Sequence, residues 1–76
     1  MKIEFNDIAQ IVQKILGNSP SDTLPETTVQ SLAMDSLDVL EVTMAIEESF
    51  GKEIDPAAFA ECATLEDVRQ LVESHA

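Results

Sequence analysis

Apolar residues at Ile8, Ile11, Val12, Ile15 and Leu16 recur at the spacing of an amphipathic helix with one buried stripe. Gly17 follows as a stop, since glycine enters the left-handed cap conformation without penalty. The periodicity then lapses. Between Gly17 and Asp35 lie Pro20, Pro25 and several Ser and Thr residues, a long connection for a compact domain. Leu24, Val29 and Leu32 are expected to pin this loop to the core, because ordering an untethered loop costs entropy with no compensating burial. Helical spacing resumes at Asp35, whose carboxylate can accept the free N–H groups of a first turn, and it ends at Gly51 after Phe50. Asp55 followed by Pro56 opens a short helix reaching about Glu61, since proline at the first helical position loses only an N–H that had no partner. Thr64, with Asp67 three residues on, forms a capping-box pattern for a last helix that buries Leu65, Val68, Leu71 and Val72. There is no internal repeat and no alternating run long enough for a strand. The pattern predicts an all-α fold: three main helices and one short helix, a long loop between the first two, and a single domain over residues 1–76.

The second helix carries two apolar faces. At about 100° per residue, Val39, Val42, Thr43, Ile46 and Phe50 gather on one side as a core-facing stripe. Leu37, Leu40 and Met44 gather on another, with Glu41, Glu47 and Glu48 around them and Asp38 further along the rim. An apolar patch in an acidic frame suits a docking surface: the apolar anchors supply burial while the carboxylates steer a basic partner and set its register. Met44 fits such a surface because its flexible thioether adapts to several partners. The bland alternatives are a covering helix or the ordinary exposure of apolar atoms on a small domain.

Charge sharpens this picture. Fifteen Asp and Glu against four Lys and Arg give a formal net charge of -11, enough for self-repulsion to oppose compaction. Lys2, Lys14, Lys52 and Arg69 are scattered, so nucleic acid is excluded as a partner and basic protein surfaces are favoured. A hydrophobic fraction of 45% can close one small core with little stability to spare. A single cysteine, Cys62, allows no internal disulfide and no thiolate cluster for zinc, in keeping with a reducing compartment. Glu4 and Asp7 interrupt the N-terminal apolar residues, which argues against a signal peptide or membrane insertion. The expectation is a cytoplasmic monomer without a resident metal. An EF-hand is ruled out because Leu40 stands where the loop, counted from Asp35, needs its glycine. Loose binding of divalent cations to the acidic helix fits as charge screening.

Ser36 follows the capping Asp35 directly, so a phosphate ester on its hydroxyl would lie at a helix N-terminus, where unpaired N–H groups and the helix dipole favour an anion. Taken alone, such a serine is most often a cap and nothing more. Nucleophilic catalysis by Ser36 is disfavoured: the only histidine is His75, and no Gly-x-Ser-x-Gly turn exists.

Read as one string, Leu32-Ala33-Met34-Asp35-Ser36-Leu37-Asp38, continuing through Glu41, Met44-Ala45-Ile46-Glu47-Glu48 and Phe50-Gly51, the region resembles the acyl carrier protein family. The helix order and length agree over nearly the whole chain. The resemblance implies that Ser36, between Asp35 and Leu37, receives 4'-phosphopantetheine from coenzyme A through a phosphopantetheinyl transferase, and that the arm's thiol carries acyl groups as thioesters. It further implies that Asp35, Leu37, Asp38, Leu40, Glu41, Met44, Glu47 and Glu48 dock on basic patches of acyl transferases, ketosynthases and other acyl-processing enzymes of fatty acid or polyketide synthesis. The chain itself would then be no enzyme. A peptidyl or aminoacyl carrier and a non-carrier acidic interaction module are the alternatives.

Two departures from the family pattern stand out. Gln30-Ser31-Leu32-Ala33-Met34 leaves the loop side of the docking surface uncharged, and Ala33 occupies a glycine position, which restricts the backbone if a positive φ is needed there. Phe59 is bulkier than the family's small residue. It either limits the room for a long saturated chain or simply fills the core.

Overall fold

A computed structural model describes residues 2–17 and 19–74. Helix α1 spans Phe5–Leu16, α2 Ser36–Phe50, α3 Pro56–Glu61 and α4 Leu65–Ser74. Two short 3-10 turns, Pro20–Asp22 and Gln30–Leu32, break up the long loop. The all-α expectation holds, with three longer helices and one short. α1 packs against α2 and α4, and α3 bridges α2 and α4.

The boundaries follow from local chemistry. α1 starts at Phe5, three residues before the periodic stripe, where the Glu4 N–H donates to Asp7 Oδ2 at 3.3 Å. Gly17, at φ 74°, closes it by donating to the Gln13 carbonyl at 2.8 Å. Asp35 and Asp38 form a reciprocal capping box at the start of α2: the Asp38 N–H donates to Asp35 Oδ1 at 2.8 Å and the Asp35 N–H to Asp38 Oδ2 at 3.4 Å. Asp55 caps α3 by accepting the Ala57 N–H at 3.0 Å. Thr64 and Asp67 exchange two bonds of 3.2 Å at the start of α4.

The core joins Ile8 and Val12 of α1, Val42 and Ile46 of α2, Phe59 of α3, and Leu65, Val68 and Val72 of α4. Leu71 stays half-buried. Ile3 and Ile54, which lie outside any helical pattern, are almost fully buried as well. Ile3 is held through its backbone, whose N–H donates to Glu73 Oε2 at 3.3 Å while its carbonyl accepts from Arg69 Nη1 at 3.0 Å.

Pinning of the long loop is only partly as expected. Val29 is buried and Leu32 packs on the core, but Leu24 is 42% exposed. Thr23 takes Leu24's place: it is buried and accepts from Gln13 Nε2 at 2.6 Å, so a hydroxyl with partners anchors the loop where an apolar side chain was expected. The remainder of the loop is stitched by backbone bonds to the α3–α4 junction. Val29 N–H donates to the Ala63 carbonyl, and Leu65 N–H donates to the Thr27 carbonyl, both at 2.9 Å.

Candidate functional site

Ser36 is the first residue of α2 and is exposed. The Asp35 carboxylate claims the Asp38 N–H, while the N–H groups of Ser36 and Leu37 find no partner among the described residues. The Ser36 hydroxyl likewise makes no protein hydrogen bond there. The helix end is therefore open to an esterified phosphate, which would share it with the Asp35 and Asp38 carboxylates.

Three residues before the serine, Ala33 sits at φ 54° and ψ 40°. A left-handed residue is needed there to turn the Gln30–Leu32 segment into the extended cap Asp35, and alanine adopts it under strain. Beside it lies a cleft of about 520 Å3 lined on one wall by Ala33, Met34 and Val39 and on the other by Ala60, Cys62 and Ala63. Segments some thirty positions apart in sequence meet here. Cys62 is half-buried and its thiol donates to the Ala58 carbonyl. Burial, with the nearby Asp67 and Glu61 charges, pushes that thiol above its ordinary pKa, which keeps it protonated and poorly nucleophilic. Phe59 is wholly buried in the core and does not line this cleft. A larger cleft between α1 and α2, about 630 Å3, lies toward the other end of α2, beside Phe50.

The outer face of α2 is open. Leu37, Leu40 and Met44 are 61%, 45% and 56% exposed, and no helix among the described residues covers them. Glu41 and Glu48 are exposed beside them and, among the described residues, make no hydrogen bond or ion pair through their side chains. Glu47 differs: its Oε2 accepts the Ile54 N–H at 2.7 Å. Asp38 is half-buried and engaged in the capping box. The eight residues expected to dock thus lie on one helix and its cap, but three of their carboxylates, those of Asp35, Asp38 and Glu47, are turned to intramolecular work. His75 lies outside the described residues. Among the described residues no group of three or more His, Cys, Asp or Glu could hold a metal ion.

The family model described as a phosphopantetheine attachment site matches residues 6–72. The chain belongs to this family, and within it to the acyl carrier proteins. It is 38% identical to the acyl carrier protein of Wolinella succinogenes over 72 residues, covering 93% of this chain and 95% of the relative. Against the acyl carrier protein of Phaeodactylum tricornutum the figure is 39% over 74 residues, covering 96% and 97%. That of Helicobacter pylori is 35% identical over 72 residues, with 93% and 92% covered. This carrier accordingly bears a 4'-phosphopantetheine prosthetic group. An exposed serine hydroxyl and two N–H groups without a partner among the described residues fit such a group. When bound, the group supplies a thiol on which an acyl chain is held as a thioester.

Proposed function

We propose that Ser36 bears the phosphopantetheine arm and that this carrier delivers acyl intermediates to biosynthetic enzymes of the fatty acid or polyketide type. The observation that carries this reading is the exposed, unbonded Ser36 hydroxyl at the first position of α2, beside Leu37 at 61% exposure. The outer face of α2, with Leu37, Leu40 and Met44 as apolar anchors and Glu41 and Glu48 among them, is the surface offered to partners. A cargo on a long arm attached here is held at high effective concentration near whichever active site the domain meets. The domain positions; its partners catalyse. No helix among the described residues is long and apolar enough to cross a membrane, and a cytoplasmic monomer remains part of the proposal. Incubation with coenzyme A and a broad-specificity phosphopantetheinyl transferase, followed by intact-mass measurement, tests the site. Loading of the wild type and none of Ser36→Ala is expected; loading of Ser36→Ala, or none of the wild type where other carriers are loaded, refutes it.

A further inference from the structure

The cleft of about 630 Å3 between α1 and α2 differs in character from the outer face of α2. Its floor is apolar: Ile11 and Ile15 of α1 and Ala45 and Phe50 of α2 line it, and all four are half-buried, so the packing of the two helices leaves part of each uncovered. Lys14 borders it on α1 and Glu48 on α2. Both are exposed, and among the described residues neither makes a hydrogen bond or ion pair through its side chain, even with the other. Asp7, also on the border, accepts the Glu4 N–H in the α1 cap. Lys14 is the one basic residue on either helix, whereas the outer face of α2 is acidic alone. Lys52 and Arg69, by contrast, are engaged with the Val72 carbonyl and with Glu66 and Glu73. Ala45 stands nine positions along α2 from Ser36, about 14 Å of helix axis, so the groove is no part of the attachment site.

We infer that this groove is a second binding surface whose occupant is an amphipathic helix of a partner protein, with acidic residues along one edge of its apolar stripe and basic residues along the other. A helix fits because a hollow between two packed helices offers a third one ridges and grooves to mesh with. The edge charges follow from complementarity: an unpaired cation on one wall and an unpaired carboxylate on the other attract opposite signs, which fixes the direction in which the incoming helix runs. A helix basic on both edges meets Lys14 with like charge and is directed to the outer face of α2 instead. A second copy of this chain is disfavoured, since two bodies of net charge -11 repel each other.

Two synthetic helical peptides of about four turns, with identical leucine stripes, test this. One bears Glu along one edge and Lys along the other; the second bears Lys along both. Amide NMR of the whole carrier locates each, at about 0.15 M salt so that attraction beyond roughly 8 Å is screened. The mixed peptide is expected to move the signals of Ile11, Ile15, Ala45 and Phe50, and Lys14→Glu should weaken its binding roughly three- to tenfold. Exchanging both charges, Lys14→Glu with Glu48→Lys, should restore the affinity to within about twofold and reverse the peptide's direction, read from line broadening by a spin label at its N-terminus. Both substituted positions are exposed, and the spectrum of each variant without peptide checks its fold. No binding of the mixed peptide at about 1 mM, shifts centred on Leu37 and Met44, or an affinity unchanged by Lys14→Glu overturns the inference. So do groove shifts that grow with carrier concentration in the absence of peptide, which point to a second copy.

Discussion

The Ile54 N–H donates to Oε2 of Glu47, and Ile54 is almost fully buried. The same glutamate's carbonyl accepts from the N–H groups of Gly51, at 2.7 Å, and Lys52, at 3.3 Å. One residue therefore closes α2 with its backbone and fixes the following segment with its side chain, which carries Ile54 into the core ahead of α3.

Removing that side chain should be felt in stability. Glu47→Ala leaves the Ile54 N–H unpaired at a part-buried site, and the expected loss is about 1–3 kcal/mol. Thermal unfolding followed by circular dichroism checks it, since about 1 kcal/mol moves the midpoint of a domain this small by roughly 4–8 °C. A Glu47→Gln midpoint as low as that of Glu47→Ala would show that charge, and not the bond, matters.

Strain at Ala33 predicts a gain. A non-glycine residue in the left-handed region costs about 1–2 kcal/mol, part of which is offset by the larger unfolded-state entropy of glycine. Ala33→Gly should stabilise the carrier by up to about 1 kcal/mol, read as a higher urea midpoint at unchanged slope. A lower midpoint would mean that the Ala33 methyl, which faces the cleft, contributes more by packing than its backbone loses.

Phe59 is the largest fully buried side chain of the core. Its truncation to alanine is expected to remove about 3–5 kcal/mol, enough to leave so small a domain largely unfolded at ambient temperature. If Phe59→Ala instead stays folded and protects a bound long-chain thioester from hydrolysis better than wild type, Phe59 limits the space for cargo as well as packing the core.

Acid sensitivity should change with Arg69. Its guanidinium forks onto Glu66, and this hydrogen bonding holds the Glu66 carboxyl below the ordinary glutamate range. A carboxyl depressed in the folded state adds stability above its unfolded pKa, and that stability is lost as pH falls through the folded value. Arg69→Met should thus lie furthest below wild type above about pH 5 and approach it below about pH 4. The remainder of the difference reports the bonds from Arg69 to the Ile3 carbonyl and to Glu73. A gap that does not vary with pH would deny Glu66 any role.

Self-repulsion at a net charge of -11 predicts that added salt or magnesium raises the thermal midpoint at neutral pH. A flat response would count against it.

Helix ends were legible in the sequence because caps and stops act within a turn: Gly17, Asp35, Gly51, Asp55 and Thr64 all perform locally the tasks their residue types allow. The two faces of α2 were equally plain, since helical periodicity alone separates Val42 and Ile46 from Leu37 and Met44. Other features needed the chain to come together. Ile3 and Ile54 enter the core from segments without periodicity, and Thr23 displaces Leu24 as the loop's anchor because Gln13 stands opposite it. The cleft beside Ala33 is assembled from positions 28–39 and 60–63. Composition gave the carrier its acidic helix, but only the distant Ile54 N–H decided that Glu47 is held back while Glu41 and Glu48 stay free, because such a bond depends on where the chain returns and not on which residues are neighbours.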